Sequence, residues 1–441
     1  MGYGLTSVQQ RIAIVGAGYA GLAAASELAT RGQSVTVFEA SRTLGGRARA
    51  VEVDSQTLDN GAHILAGAYS ETLRLMAHVG ANPATLLKRI PITFEFPGHL
   101  RLAAPRLPAP LHLAAALLFA EGLTWADKWA AIRFMRKMES ARFRLPADQT
   151  VAALLDAHNQ PQNLRRLLWE PLSIAALNTG ADTASAQVFL NVLRDSLAAR
   201  REASDLLLPA TDFSALFPEP AAAYVESRGG QIRRACRIEA LRRQDNTWEL
   251  SHAQGSESFD QVILAVAPYH LPKLLADLPE MAPVVAQVAA FAWEPIVTVY
   301  LGYPAHVTLP APMLGLLDSY GQWLFDRGQL VGQAGVIACV ISAHGRHEDL
   351  PAEQLAQHID EEIRRLRPDL PPPLWQRVIK EQRATFACTP ALSRPATQTP
   401  VPGLWLAGDY VAGDYPATLE GAVRSGVAAA DSVERCCASP R

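Results

Sequence analysis

The chain has 441 residues, of which 49% are hydrophobic and 19% are charged. This length and apolar content are typical of a globular protein with a large core and room for two domains, and they exclude a disordered or fibrous chain. The formal net charge of -3 gives no overall attraction for a phosphate backbone, so we expect no nucleic acid partner.

The first predicted unit is a nucleotide-binding strand, turn and helix. An apolar strand over Ile12 to Val15 leads into Gly16, Gly18 and Gly21, which have the G-x-G-x-x-G spacing. The first glycine allows the tight turn, the second lets a diphosphate approach the backbone, and the third lets the helix that ends at Thr30 pack on the strand. Because that helix presents free N–H groups at its start, we expect the phosphates of a dinucleotide there.

A second strand, Ser34 to Phe38, ends at Glu39. A carboxylate at this position accepts hydrogen bonds from a ribose diol and repels a 2′-phosphate. The sequence therefore favours FAD or NAD over NADP.

The continuation after Glu39, SRTLGGRAR, distinguishes FAD from NAD. Its second glycine pair and its guanidinium groups follow closely enough to reach the diphosphate from the other side. This segment resembles the flavin-dependent amine oxidase and phytoene desaturase superfamily. The resemblance implies FAD as the cofactor, with Gly46 and Arg47 on its diphosphate. It also implies an α/β fold, in which a Rossmann-type FAD-binding domain is interleaved with an α+β substrate domain.

A turn rich in small residues follows in LDNGAHILAGAY. Gly61 and Ala62 would let a flat ring approach the backbone, with His63 at its edge. In the superfamily the corresponding turn lies against the isoalloxazine ring. His63 is therefore a candidate catalytic acid or base, and the alternative is a hydrogen-bonded structural histidine.

The middle of the chain is apolar and predominantly helical, which is where a hydrophobic substrate would be housed. The stretch Leu107 to Ala120 is predicted either as a core helix or as a contact with a membrane surface. In WEPLSIAALNT the single carboxylate is Glu170. If buried among apolar residues it would stay protonated and serve as a proton donor, whereas the alternative is an ordinary helix-start glutamate before Pro171.

We predict a discontinuous FAD-binding domain over residues 1–88, 206–286 and 376–436, and a substrate domain over residues 89–205 and 287–375. The resemblance places the backbone of Ile238 against the adenine. No metal site is predicted, because His344 and His347 lack a third ligand.

The last motif is LWLAGDYVAGDYPATLEGAVRSG. A buried strand ends at Gly408, and the carboxylate of Asp409 can accept a hydrogen bond from a ribityl hydroxyl. A helix that begins near Thr418 and Leu419 can direct its N–H groups at the flavin N1 and C2 carbonyl. This block matches the C-terminal FAD motif of the same superfamily.

Two observations argue against an amine substrate. The segment IVTVYLGYP matches the strand that carries the flavin-facing lysine of amine oxidases, but no lysine occurs between Lys273 and Lys380. Thr418 also stands where those enzymes place a tyrosine of the aromatic cage. Both departures favour an apolar isoprenoid substrate.

Nearly the whole chain, including RATFACTP and DYPATLEGAVRSG, resembles the hydroxysqualene dehydroxylase family. The resemblance implies FAD-dependent reductive removal of the hydroxyl of hydroxysqualene, giving squalene for hopanoid synthesis. Two alternatives stay open: a carotenoid-type desaturase or isomerase, and a non-catalytic prenyl-lipid escort protein. The external reductant is unknown, because only one nucleotide fingerprint is visible.

The expected location is the cytoplasm, with the inner face of the cell membrane as a peripheral site. Five cysteines without a C-x-x-C pair are typical of a reducing compartment, and no apolar leader precedes Arg11.

Overall fold

The computed structural model describes residues 10–54 and 56–438. Two sheets of five strands each dominate it. The strands are Arg11–Val15 (β1), Ser34–Phe38 (β2), Ala50–Val53 (β3), Gln56–Asp59 (β4), Leu65–Ala66 (β5), Leu87–Ile90 (β6), Thr93–Phe96 (β7), Leu100–Ala103 (β8), Leu206–Pro209 (β9), Gln231–Arg233 (β10), Ile238–Gln244 (β11), Thr247–His252 (β12), Gly255–Phe259 (β13), Gln261–Leu264 (β14), Trp293–Gly302 (β15), Met313–Gly315 (β16), Trp323–Asp326 (β17), Val336–Ser342 (β18), Trp375–Phe386 (β19) and Leu404–Leu406 (β20).

Helices connect and cover these sheets. The α-helices are Tyr19–Thr30 (α1), Ser70–His78 (α2), Pro83–Leu86 (α3), Leu111–Leu118 (α4), Trp125–Ser140 (α5), Val151–Ala157 (α6), Gln162–Leu164 (α7), Glu170–Leu177 (α8), Ala186–Ser196 (α9), Phe213–Leu216 (α10), Pro218–Ser227 (α11), Leu271–Leu274 (α12), Ala282–Ala289 (α13), Arg327–Val331 (α14), Ala352–Leu366 (α15) and Leu419–Ala438 (α16). A π-helical turn, Arg165–Trp169, joins α7 to α8.

The first sheet is parallel, with strand order β10-β2-β1-β14-β20. Both of its faces are buried: Ile12 and Ile14 of β1 pack into one apolar cluster, and Ala13 and Val15 into another. Burial on both faces explains why the strand reads as a continuous apolar run rather than an alternating one. Helices α1, α11 and α16 share the first of these clusters. The parallel sheet and its helices confirm the predicted α/β nucleotide-binding fold.

The second sheet is antiparallel, with strand order β16-β17-β18-β15-β19. Alternate residues of β15 face opposite sides. Val297 and Val299 pack against α15, whose buried residues Leu355 and Ile359 are four apart and therefore share one side of that helix. The intervening residues of β15 face the parallel sheet across the interior. This second face supplies the inner wall of the candidate site.

The predicted domain boundary at residue 376 is wrong. Strand β19 pairs with β15 from Trp375 to Phe386, so it is the edge strand of the antiparallel sheet and not part of the FAD-binding domain. The sequence of this segment contains no local signal for its pairing partner. The chain returns to the parallel sheet only at β20, which pairs with β14.

The middle segment is mainly helical, as its pattern predicts, and begins with a β-hairpin. Strands β7 and β8 pair around the turn at Pro97 and Gly98. Helices α4 to α9 make up much of the segment, and the π-helical turn lies between α7 and α8. In the part of the chain that the structure describes, no helix combines the length and apolarity needed to cross a bilayer.

Candidate active site

A cavity of about 810 Å³ lies between the carboxyl ends of the parallel strands and the inner face of the antiparallel sheet. Its volume is in the range of cofactor and ligand sites. All of the predicted cofactor-binding residues line it except Gly21 and Gly61. The predicted residues at its wall are Gly16, Gly18, Glu39, Gly46, Arg47, Ala62, His63, Ile238, Gly408, Asp409, Thr418 and Leu419.

The three glycines of the first turn have distinct surroundings. Gly16 has φ +107°, and a Cβ there would lie 2.6 Å from the carbonyl oxygen of Ala265. A Cβ on Gly21 would lie 1.9 Å from the carbonyl oxygen of Gly16. A Cβ on Gly18 would meet only the Cα of Gly46, at 3.8 Å. The first and third glycines therefore allow close packing, while Gly18 presents open backbone to the cavity, as a passing diphosphate requires.

Glu39 lies at the end of β2, as predicted, with its carboxylate already engaged. One oxygen accepts a hydrogen bond from the Ala17 N–H at 2.8 Å, and the other from the Ser41 N–H at 2.8 Å. Each carboxylate oxygen keeps a further lone pair. Glu39 can therefore accept from a ribose hydroxyl while it holds the glycine turn, with Ile238 on the same wall of the cavity.

The two predicted flavin motifs are joined by an ion pair. Arg47 donates from one guanidinium nitrogen to the carbonyl oxygen of Ala384 at 2.6 Å and from another to Oδ1 of Asp409 at 2.5 Å. The backbone N–H of the adjacent Gly408 donates to the hydroxyl of Ser425 in α16 at 2.7 Å. Both charged side chains line the cavity.

The N-terminus of α16 faces the same cavity. Ala417, Thr418 and Leu419 line it, and the Thr418 hydroxyl accepts a hydrogen bond from the Gly421 N–H at 3.1 Å. Glu420 points away from the cavity, where its carboxylate accepts from the backbone and side chain of Thr72. The helix therefore presents its positive end to the cavity without a neutralising carboxylate.

The turn that precedes His63 closes one side of the chamber. Gly61 has φ +95° and lies beside Thr298 of β15, which would be 3.7 Å from a Cβ at this glycine. Asn60 donates to the carbonyl oxygen of Arg47 at 3.0 Å and to Oε2 of Glu381 at 3.3 Å. The predicted small-residue turn is thus packed between the Arg47 segment and the antiparallel sheet.

His63 faces the cavity as a neutral imidazole. Its Nδ1 lies 2.9 Å from the carbonyl oxygen of Gly61, and since a carbonyl only accepts, Nδ1 carries the proton. Burial lowers the pKa of His63, and this effect outweighs the hydrogen bond to Gly61 and the charge of Asp59, which act in the opposite direction. The ring packs edge-on against Phe213, with centroids 4.9 Å apart. Nε2 is then the unprotonated nitrogen, a hydrogen-bond acceptor rather than a proton donor.

Behind the turn lies a buried ion pair. Arg327 donates to Oδ2 of Asp59 at 2.9 Å, and both side chains are almost fully buried. Asp59 also accepts from the Phe213 N–H at 2.9 Å, and its backbone carbonyl accepts from the Tyr300 hydroxyl at 2.8 Å. Burial raises the pKa of Asp59, although Arg327 opposes this shift. The pair links the flavin turn to the antiparallel sheet.

Glu170 does not line the cavity, and it is the first residue of α8 before Pro171, as in the second of the two interpretations of its motif. Its carboxylate is about one-third exposed and lies 3.6 Å from the guanidinium of Arg165. Burial raises its pKa, with Arg165 acting against that shift. Glu170 and His63, the two predicted catalytic residues, are therefore not brought together.

Three residues of the same motif line the cavity, Ala175, Ala176 and Asn178, and the polar one is Asn178, at the end of α8. It adopts a left-handed conformation with φ +49°. Its side chain donates to the hydroxyl of Thr385 at 2.9 Å and accepts from the Ala343 N–H at 2.8 Å, bracing two strands of the antiparallel sheet. An asparagine after a helix is a typical signal for a left-handed C-cap, so this conformation could have been predicted from the sequence.

Glu381 is a cavity residue that the sequence did not reveal. It lies opposite Ile296 in the pairing of β19 with β15, and both line the cavity. Three carboxylates line the described cavity. Glu39 holds the glycine turn and Asp409 pairs with Arg47, whereas Glu381 has only long contacts, from Asn60 at 3.3 Å and from the Arg383 N–H at 3.4 Å. Only the register of β19 reveals this position.

These residues fit FAD. The carboxylate of Glu39 lies at the nucleotide end of the cavity, followed by the open backbone of Gly18 and the guanidinium of Arg47. At the other end are the N-terminus of α16 and an apolar wall. Phosphates, ribose and a ring that gains negative charge on reduction each meet a complementary group. In the described ranges, no group of three or more potential metal-ligating side chains occurs.

Comparisons with known proteins agree with this arrangement. The family profile described as flavin containing amine oxidoreductase matches residues 19–433. Hydroxysqualene dehydroxylase of Rhodopseudomonas palustris is 30% identical over 97% of this chain and 99% of its own length. The enzyme of the same name from Sinorhizobium fredii is 30% identical over 96% and 98%.

More distant similarities extend to desaturases and amine oxidases. A 15-cis-phytoene desaturase of Synechococcus elongatus is 26% identical over 96% of this chain and 95% of its own. The solved structure of cyclohexylamine oxidase from Brevibacterium oxydans superimposes with a TM-score of 0.65, at 18% identity, over 97% of this chain and 100% of that one. The predicted fold, the FAD cofactor and the enzyme class are confirmed. The chain belongs to the flavin-containing amine oxidoreductase family, as an FAD-dependent oxidoreductase with hydroxysqualene dehydroxylases among its relatives.

Proposed function

We propose that this enzyme removes the hydroxyl of hydroxysqualene reductively and releases squalene, as a step of hopanoid synthesis. The observation that carries the proposal is the apolar inner end of the cavity, lined by Ile296, Trp323, Phe325 and Val340. Ile296 lies on the strand that carries a flavin-facing lysine in amine oxidases. Such a wall suits a hydrocarbon chain. The relatives at 30% identity support the same substrate.

FAD, when bound and reduced, supplies a hydride. The residues proposed to hold it are Gly16, Gly18, Gly21, Glu39, Gly46, Arg47, Gly61, Ala62, Ile238, Gly408, Asp409, Thr418 and Leu419. Gly18 leaves room for the diphosphate, and the Arg47–Asp409 pair fixes the guanidinium between the two motifs. The apolar wall excludes water from the reacting end, which strengthens the electrostatic interactions there.

The reaction also needs a proton. One carbon–oxygen bond breaks, one carbon–hydrogen bond forms from the hydride, and the hydroxyl leaves as water once it is protonated. Glu381 is the carboxyl group proposed to supply that proton, because its contacts to Asn60 and Arg383 are long and it lies opposite Ile296 at the apolar wall.

His63 is proposed to orient the substrate. As a neutral imidazole it can accept a hydrogen bond from the substrate hydroxyl at Nε2 while Nδ1 donates to Gly61. Glu170, the second catalytic residue predicted from the sequence, has no part in this scheme because it lies outside the cavity.

The proposed place of action is the cytoplasmic face of the cell membrane, because a C30 isoprenoid dissolves in the bilayer rather than in water. The external reductant is not assigned. The protein would take up reducing equivalents before each turnover, since the dehydroxylation consumes one hydride.

An assay in both redox directions tests the proposal. Purified flavin-loaded protein is incubated anaerobically with hydroxysqualene and dithionite, and separately with phytoene and an oxidant. We expect squalene in the first reaction and unchanged phytoene in the second. Desaturated phytoene would favour the carotenoid-type alternative, which the phytoene desaturase relative supports. Bound isoprenoid without conversion in either direction would favour the escort alternative.

A further inference from the structure

Exposed apolar side chains are concentrated on α4, on the loop that follows it and on α5. We call the surface formed by Leu111, Leu118, Phe119, Trp125 and Trp129 the docking face. Their exposed fractions are 58%, 46%, 77%, 64% and 56%. Exposed aromatic and aliphatic side chains of this size mark an interaction site when they cluster. Among the described residues, the other large exposed hydrophobic side chains are Leu107, which precedes α4, and Leu374.

Local contacts hold the two halves of the docking face together. Lys128 of α5 donates to the carbonyl oxygen of Leu118 at 2.8 Å and lies over the ring of Trp125 at 5.1 Å. Trp125 and Trp129 are four residues apart and therefore share one side of α5. The end of α4 and the start of α5 thus present one surface.

The opposite sides of both helices are anchored in the protein. In α4, His112 is buried and lies 3.0 Å from the hydroxyl of Ser204, while Ala116 is buried in the main apolar cluster. In α5, Ala130 and Phe134 are buried in the same cluster. The docking face is therefore the outer side of two packed helices rather than a misplaced core.

Positive charge borders the docking face. Arg133 and Arg136 are exposed and continue the same side of α5 beyond the two tryptophans. Arg106, also exposed, precedes α4. The exposed acids in this region are Glu121, whose carboxylate lies 3.9 Å from Arg101, and Glu139 at the far end of α5. Tryptophan beside arginine on an otherwise apolar helix surface is complementary to a bilayer with anionic headgroups.

We propose that the docking face binds the surface of an anionic lipid bilayer. The aromatic side chains enter the headgroup region, and Arg133 and Arg136 contact lipid phosphates. The helices lie along the membrane rather than cross it.

The β7–β8 hairpin lies between the docking face and the cavity. The loop after α4 pairs with the hairpin through Arg101 and Glu121, whose backbone groups exchange hydrogen bonds of 3.0 and 3.2 Å. On the inner side of that hairpin, Phe96 packs on Trp323 with ring centroids 5.2 Å apart, and Trp323 lines the cavity. If the proposed function is correct, a lipid substrate can pass from the bilayer to the cavity beside this hairpin.

Vesicle flotation tests the docking face without any assay of turnover. Flavin-loaded protein is floated with vesicles of phosphatidylcholine alone or mixed with phosphatidylglycerol. We expect the native protein to float with the anionic vesicles. The triple variant Phe119→Ser, Trp125→Ser and Trp129→Ser should bind them at least about 100-fold more weakly. Arg133→Gln and Arg136→Gln should each weaken anionic binding about fivefold and leave neutral vesicles unaffected.

Leu374→Ser provides the matched control. Leu374 is 72% exposed and precedes β19, which is one edge strand of the antiparallel sheet. The other edge strand, β16, is the one near the hairpin, so Leu374 lies far from the docking face. We expect this variant to float like the native protein. The proposal is overturned if the native protein does not float, if the triple variant floats equally well, or if Leu374→Ser causes the same loss. It is also overturned if the native protein is a dimer in solution that the triple substitution dissociates.

Turnover separates this proposal from the proposed function. The triple variant should convert detergent-dissolved hydroxysqualene at the native rate and vesicle-borne hydroxysqualene at least about 10-fold more slowly. Native protein that floats but forms no squalene would refute the function and leave the docking face intact. Equal rates on vesicle-borne substrate would refute the passage beside the hairpin.

Discussion

Arg47 and Asp409, which are separated by most of the chain, form a hydrogen-bonded ion pair of 2.5 Å at the wall of the flavin cavity. Arg47 belongs to the segment that follows the first nucleotide-binding unit, and Asp409 follows the last parallel strand. The pair therefore closes the FAD-binding domain at its two ends. Neither side chain has a second strong ionic partner in the described structure.

Arg47→Gln should weaken FAD binding. The substitution removes a charge-assisted hydrogen bond and leaves Asp409 beside the flavin without its cation, for a cost of about 2 kcal/mol, or about 30-fold in Kd. The measurement is FAD titration of flavin-free protein, followed by the quenching of flavin fluorescence. Arg42→Gln is the control, because Arg42 is exposed in the same segment. Equal affinities for Arg47→Gln and the native chain would exclude this role.

Gly21→Ala should separate the first helix from its strand. The added Cβ would lie 1.9 Å from the carbonyl oxygen of Gly16, which is backbone and cannot rotate away. We expect the free energy of unfolding to fall by about 3 kcal/mol, together with a loss of bound FAD. Urea denaturation and flavin content measure both effects. Gly180→Ala is the control, since no atom lies within 4 Å of a Cβ there, and a similar loss in that variant would contradict the packing argument.

The glycine turn could be predicted because its chemistry is local. Gly16, Gly18 and Gly21 lie within a dozen residues of one strand, turn and helix. Their spacing in sequence therefore determines their relative positions in the structure. The cofactor residues at the far end, such as Asp409, were found because they too lie at the end of a strand and the start of a helix. For these residues the sequence pattern and the resemblance gave the same answer.

The cavity residues of the antiparallel sheet could not be predicted in this way, because strand register decides which side chains meet. Glu170 was selected for its apolar neighbours in sequence, yet the start of α8 turns it towards Arg165. Asn178, at the end of the same helix, reaches the cavity instead. Glu381 faces the cavity only because β19 pairs with β15, a pairing between segments about 80 residues apart that no local pattern specifies.

Arg327→Gln should destabilise the protein in a pH-dependent way. It leaves Asp59 buried without its counter-charge, which costs about 3–5 kcal/mol when the carboxylate is ionised. Because burial raises the pKa of Asp59, the folded state holds this proton more strongly than the unfolded state. The contribution of Asp59 to stability is therefore greatest at low pH and is lost as the pH rises through its folded pKa.

The loss caused by Arg327→Gln should accordingly be larger at pH 8 than at pH 5, as measured by urea denaturation. Combining it with Asp59→Asn removes both charges and keeps an oxygen for the Phe213 N–H. We expect this double variant to recover most of the stability at pH 8. A loss that is independent of pH, or a double variant less stable than Arg327→Gln, would contradict a cost that arises from the unpaired carboxylate.

His63 should titrate below the ordinary histidine value of about 6.5. Burial lowers its pKa, so the imidazole is neutral at pH 7.5 with the proton on Nδ1. Since the unfolded chain takes up this proton first, the contribution to stability is present above pH 6.5 and falls as the pH drops towards the folded pKa. The measurement is a ¹⁵N NMR titration, with His63→Gln to assign the signals.

His344 gives an internal comparison in the same spectra. Its Nδ1 lies 2.8 Å from Glu348, and this hydrogen bond raises its pKa. The two histidines should therefore titrate on opposite sides of the ordinary value. A midpoint for His63 above that of His344, or a protonated Nε2 at pH 7.5, would be incompatible with the proposed acceptor role.

Glu381→Gln should slow dehydroxylation while FAD stays bound. Loss of a positioned proton donor typically costs about 10²- to 10⁴-fold in rate. Glutamine keeps an oxygen that can accept from Asn60, so the turn at Gly61 should be preserved. The chemical step is isolated by mixing pre-reduced, flavin-loaded protein with hydroxysqualene in a single turnover and following squalene.

Glu170→Gln is the matched control, because it makes the same substitution at a carboxylate that lies outside the cavity beside Arg165. We expect its single-turnover rate to stay within about twofold of the native rate, since exposed substitutions away from the site change little. A slow Glu170→Gln with a normal Glu381→Gln would return the proton donor to the residue chosen from the sequence. It would also require α8 to turn towards the cavity when substrate binds.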